Sequence, residues 1–111
     1  MFNWKKLFSE KDVDELITKS SQRPQVIFKH SVQCGLSAHA LFKLEEGTDV
    51  LLQKADISYV DLIRYRGVSN YIAKKFAVTH QSPQVLVLKN GEAVFNTSHQ
   101  AINIRTILEK L

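Results

Sequence analysis

The residues best placed to do chemistry gather around the one cysteine, Cys34. It follows a short apolar run, Val26-Ile27-Phe28, and precedes Ala38, Leu41, Phe42 and Glu45 at helical spacing. A cysteine between a strand and a helix meets backbone N–H groups that lack carbonyl partners, and the positive end of the helix dipole. Both stabilise a thiolate, the form that attacks a disulfide. Gly35 leaves room for another chain to approach the sulfur. Ser37 puts a hydroxyl three residues on, where a dithiol enzyme has its second cysteine. Burial is the competing reading, since free cysteines are often inert core residues. The strand–cysteine–helix context favours reactivity.

Other polar groups are candidates for the same neighbourhood. Lys29 and His30 end the strand before Cys34, and His30 could either bond near the thiolate or cap the strand. Ser82-Pro83 opens a later strand, where an X–Pro bond is tolerated in cis or trans. A cis bond is expected here, with the Ser82 backbone free to pair with an extended substrate segment. One cysteine excludes an internal disulfide or a Cys-rich zinc site. His30, His39, His80 and His99 show no recurring ligand spacing, so no metal is expected.

The elements that must position these residues can be read along the chain. Ser9-Glu10-Lys11-Asp12 resembles a capping box, and Val13, Leu16 and Ile17 follow as one apolar stripe, with Arg23-Pro24 as a stop. The Val26–Phe28 run reads as a strand buried on both faces. The helix after Cys34 runs to Gly47, and 48–55 suits a short helical segment. Residues 57–63 form the next strand, and Val68, Tyr71, Ile72 and Phe76 mark another helix. Val85–Leu88 and Ala93–Phe95 flank Asn90-Gly91, the strongest short hairpin signal. Ile104, Ile107, Leu108 and Leu111 mark a terminal helix.

The resulting order is α-β-α-β-α-β-β-α. Strands joined through a helix run parallel with a right-handed crossover, and the last two form an antiparallel hairpin. The fold class is therefore α/β: a thioredoxin-like, four-stranded mixed sheet flanked by helices on both faces. The expected strand order is 57–63 at one edge, then 25–30, 85–89 and 93–96.

Size and composition bound the rest. The 111 residues, 44% hydrophobic and 23% charged, suit a single domain over 1–111 with one modest core. No apolar stretch is long enough to span a membrane. Met1-Phe2-Asn3-Trp4-Lys5-Lys6 lacks the pattern of a signal peptide, so a reducing cytoplasm is the expected location. The formal charge of +4 favours anionic partners in general. No basic run exceeds a pair, however, so no specific nucleic-acid partner is expected.

Three blocks carry a family resemblance. They are Phe28-Lys29-His30-Ser31-Val32-Gln33-Cys34-Gly35-Leu36-Ser37; Tyr71 to Phe76 with His80-Gln81-Ser82-Pro83-Gln84; and Asn90-Gly91-Glu92 with His99 downstream. Together they resemble the YtxJ-type monothiol bacilliredoxins of the bacillithiol system. The resemblance implies a thioredoxin fold, a redox-active Cys34 and a cis Pro83 facing it. It also implies removal of bacillithiol from mixed disulfides on proteins. The small thiol is then a co-substrate and no cofactor stays bound. Partners are S-thiolated proteins and the thiol itself. The family usually carries Thr-Cys-Pro-Ile-Ser, where this chain has Gln33-Cys34-Gly35-Leu36-Ser37.

That departure brings the motif within one substitution of the Cys-Gly-Phe-Ser of monothiol glutaredoxins, which hold an iron–sulfur cluster between two subunits. The glutaredoxin Thr-Val-Pro and Gly-Gly-x-Asp signatures are missing here. A third reading is a non-catalytic thioredoxin-fold interaction domain. On the first reading Cys34 is the nucleophile, and Gln33, Gly35, Leu36, Ser37, Ser82, Pro83, Lys29 and His30 bind the substrate. Bacillithiol and glutathione are both anionic, so N–H groups at the helix start and the Lys29 ammonium are expected to receive them, ahead of Lys74 or Lys75.

Overall fold

The structure, a computed structural model, describes residues 4–111. The reading of the first three residues as free of a leader lies outside the described residues. Five strands form one mixed sheet in the order β1-β3-β2-β4-β5. They are β1 (Lys5–Lys6), β2 (Gln25–His30), β3 (Asp56–Asp61), β4 (Gln84–Lys89) and β5 (Glu92–Ser98). The helices are α1 (Glu10–Lys19), α2 (Gly35–Glu46), α3 (Thr48–Leu52), α4 (Arg66–Phe76) and α5 (Ile104–Glu109), with a 3-10 turn at His99–Ala101. No helix among the described residues is long and apolar enough to cross a membrane.

Four of the strands stand in the order expected from the sequence. The fifth, β1, pairs in parallel with β3 through Lys5 and Lys6 and makes the sheet five-stranded. Two lysines carry no alternating apolar pattern, so nothing local announces this strand. It is fixed instead by its neighbours: Trp4 and Leu7 are buried on either side of it.

The local signals explain most boundaries. Ser9 caps α1, its hydroxyl accepting the Asp12 N–H at 3.2 Å, while Asp12 accepts the Phe8 N–H at 2.8 Å. Asn90 and Gly91 both have positive φ, 54° and 80°, the combination a type I′ hairpin requires. Gly47 ends α2 for a different reason from the one its position implies. Its φ is −100°, an ordinary value, but a β-carbon there would collide with Ile104 of α5. Close packing, rather than a left-handed turn, calls for glycine.

The sheet divides the core in two because strand side chains alternate. Val26 and Phe28 of β2 pack with Val85, Val87, Ala40, Leu44, Leu51 and Ile107 on the α2–α3–α5 side. Ile27 packs with Leu86, Leu88, Val13, Leu16, Val68 and Ile72 on the α1–α4 side. β2 is central, and all six of its residues are buried. Its last two residues are Lys29 and His30, on opposite faces.

Candidate active site

Cys34 occupies the N-cap of α2 with extended backbone, φ −113° and ψ 120°. It is a free, half-buried cysteine. Its carbonyl accepts the N–H groups of Ser37 and Ala38, both at 3.1 Å, which closes the first turn of the helix. No side chain caps the helix. The first N–H groups of an α-helix have no intrahelical partner, so those of Gly35 and Leu36 are available to an anion at the sulfur. A β-carbon on Gly35 would meet nothing within 4 Å, so the approach to Cys34 from that side is open. Gln33, Gly35 and Leu36 are exposed, and Val32 is 70% exposed.

The loop that carries Cys34 is pinned from beneath. The Cys34 N–H donates to the Ser31 carbonyl at 3.2 Å, and the Ser31 hydroxyl accepts the Gln33 N–H at 3.3 Å. Ser37 is fully buried; its Oγ accepts the Ser31 N–H at 3.0 Å and lies 2.7 Å from His30 Nδ1. The His30 ring tilts against Phe28 and is only 5% exposed. Burial pushes His30 below the usual imidazole range, against the opposite pull of the Asp61 and Glu45 carboxylates. Ser37 and His30 therefore do not present themselves to a substrate, as the sequence had implied. They sit under the loop because residue 30 faces α2 and residue 37 follows one turn after the cap.

Lys29 requires a larger correction. Its place at the end of β2 implied a rim ammonium, but the side chain is 0% exposed. It turns to the α4 face, where Nζ donates to the Ser69 carbonyl at 3.2 Å and lies 3.2 Å from His80 Nδ1. Burial lowers its pKa from 10.5 to about 8. It is out of reach of a solvent-borne anion. Lys74 and Lys75 are exposed in the last turn of α4.

The Ser82–Pro83 bond is cis, as expected. β2 and β4 are antiparallel with Lys29 opposite Gln84, so Pro83 stands one position further, at the end of β2 from which the Cys34 loop departs. Pro83 is buried and Ser82 half-buried. The Pro83 carbonyl accepts the His99 N–H at 3.0 Å. The buried Gln84 side chain donates to the Thr79 carbonyl at 3.0 Å and accepts the Gln81 N–H at 3.4 Å. Sequence reasoning assigned no role to Gln84, Ser69 or His80. The one available signal was Lys29 itself, since a lysine in a strand buried on both faces must find a partner.

A family model described as monothiol bacilliredoxin BrxC matches residues 5–107. The chain belongs to the monothiol bacilliredoxin family. A solved structure described as a candidate oxidoreductase with a thioredoxin fold is 31% identical, covering 95% of this chain and 90% of that one, with a TM-score of 0.82. Thioredoxin from Fasciola hepatica is 22% identical over 96% of this chain and 94% of that one, TM-score 0.73. Thioredoxin O2 from Arabidopsis thaliana is 19% identical over 97% and 93%, TM-score 0.75. The last two share the fold. Membership of the bacilliredoxin family supports thiol–disulfide exchange as the activity, in a chain that offers it one thiol, Cys34.

Proposed function

We propose that the protein removes bacillithiol from mixed disulfides on S-thiolated proteins in a reducing cytoplasm, with Cys34 as nucleophile. The observation that carries this reading is the place of Cys34: a free thiol at an uncapped helix start beside an open Gly35, in a monothiol family. The Cys34 thiolate attacks the bacillithiol-side sulfur of the mixed disulfide. A new disulfide forms between Cys34 and bacillithiol, and the target leaves as its thiolate. Ser37 stands where a resolving cysteine would, so a second bacillithiol thiolate, or another redoxin, must attack the bacillithiol-side sulfur of that disulfide and release Cys34. With a second bacillithiol the oxidised product is bacillithiol disulfide.

The other residues divide into two groups on this reading. Gln33, Gly35, Leu36 and the cis Ser82–Pro83 segment contact the substrate, and the N–H groups of Gly35 and Leu36 receive the anionic thiol in place of Lys29. Ser37 and His30 hold the loop. Exposed Val32 and Leu36 suit a protein target, which brings apolar surface to the site.

The test is release of bacillithiol from a purified S-bacillithiolated protein, with a glutathionylated copy alongside. Wild type is expected to release bacillithiol faster than glutathione, and Cys34→Ser to fall to background. Full activity in Cys34→Ser overturns the nucleophile. Equal or faster release of glutathione overturns the choice of thiol.

A further inference from the structure

The buried Lys29 ammonium is not used in the exchange, yet it joins three separate parts of the chain. It lies on β2, its Ser69 acceptor on α4, and His80 at the start of the segment that leads to Ser82–Pro83. Ser69 Oγ also lies 3.4 Å from His80 Nδ1. An ammonium donates three hydrogen bonds and accepts none, so Nδ1 of His80 must accept. That assigns the imidazole proton to Nε2. His80 is followed at once by Gln81, which Gln84 holds, and then by the cis bond. On this face Gln84 of β4 also holds the segment, through the Thr79 carbonyl and the Gln81 N–H, while the hydrogen bonds that reach His80 from β2 and α4 are those of Lys29 and Ser69.

We propose that Lys29 and His80 are positioning residues that fix the Ser82–Pro83 segment for the incoming mixed disulfide, and that protonation of His80 releases it. A proton on Nδ1 abolishes the acceptor and sets a cation against the Lys29 ammonium. The charged groups acting on His80 are Lys29 from β2 and Arg66 from α4, both cationic. Burial and these two charges hold its pKa below the usual 6.5. The clamp is therefore closed at neutral pH and opens in acid. The inference rests on the reading that Ser82–Pro83 meets the substrate.

Two measurements on the intact protein separate the possible failures. The first is the ring nitrogen NMR spectrum of His80 against pH. Wild type is expected to show the Nε2–H form and a titration below the ordinary range, followed by the amides of Gln81 and Ser82. In Lys29→Met the tautomer bias is lost and the titration moves up. The second is turnover of an S-bacillithiolated protein. Lys29→Met is expected to raise KM about tenfold, the effect of losing one charge-assisted hydrogen bond, with kcat and the alkylation of Cys34 by iodoacetamide unchanged. His80→Asn offers an oxygen in place of Nδ1, so it keeps a near-normal KM and loses the rise of KM in acid.

Mixed His80 tautomers in wild type, or Gln81 and Ser82 amides that ignore its titration, overturn the clamp. So does a His80→Asn protein as impaired as Lys29→Met, or a Lys29→Met protein with unchanged KM. If wild type shows the NMR signature but does not turn over the mixed disulfide, the proposed function fails and the claim that the clamp serves that substrate fails with it.

Discussion

The end of β2 is held differently on its two faces. On the α2 face, His30, Ser31 and Ser37 bond one another beneath Cys34, all within eight consecutive residues. On the α4 face, Lys29, Ser69 and His80 bond beneath the Ser82–Pro83 approach, drawn from residues 40 and 51 positions away. The first network is neutral and local. The second buries a charge and spans the chain. A local network can set the geometry of Cys34 as soon as α2 forms, whereas the Ser82–Pro83 segment is set only when α4 and β4 are both docked. The two halves of the site therefore depend on different parts of the fold.

The largest effect should come from Lys29→Ala. It empties a fully buried site and removes the Lys29 ammonium's hydrogen bonds to the Ser69 carbonyl and His80. A loss of about 2–4 kcal/mol in denaturant unfolding is expected, and Lys29→Met should lose less because it keeps the stem and removes the buried charge. If both variants lose equally, the α4-face network contributes through its charge rather than its packing. Ser37→Ala comes next. It removes the Oγ that meets both the Ser31 N–H and His30, at about 1–3 kcal/mol, and should alter Cys34 alkylation, which Lys29→Met leaves alone. An alkylation rate unmoved by Ser37→Ala would show that the two faces do not divide the work as described.

The same contrast governs what the sequence disclosed. Cys34 at a helix start, the Ser9 cap and the Asn90–Gly91 hairpin all rest on contacts within a few residues, and each was legible from spacing. The four main strands were legible too, because periodicity and crossover rules restrict their order. β1 was hidden because two lysines pair only through backbone groups, and their sequence neighbours do the burying. Lys29 was misplaced because a strand's end does not reveal whether the next layer covers it. Its partners, Ser69 and His80, lie on another helix and another loop, and no spacing rule connects them.

Acidity offers a milder probe. The pKa of Lys29 falls from 10.5 to about 8, so between those values the unfolded chain holds more protons. Stability from this group should therefore rise as pH climbs from about 8 to 10.5, and the rise should vanish in Lys29→Met. His30 and His80 are both shifted down by burial. Their contribution is complete above 6.5 and is lost as pH falls through their folded values, giving acid sensitivity on both faces. Thermal unfolding of wild type and Lys29→Met across pH 5 to 11 reads both windows. The smallest effect is expected at Gly35, where open space should let Gly35→Ala change stability by less than about 1 kcal/mol. A larger loss would mean that the α2 N-terminus is more tightly enclosed than its surroundings indicate.

The central claim is that Cys34 takes the small thiol from its protein partner. Intact-mass spectrometry of the reduced protein, mixed with an S-bacillithiolated protein and quenched early, tests it most directly. The account predicts that this chain gains the mass of one disulfide-linked bacillithiol, mapped to Cys34, as the target loses the same mass. A target that sheds its bacillithiol while Cys34 stays unmodified throughout, or that sheds it equally fast with Cys34→Ser, would contradict it.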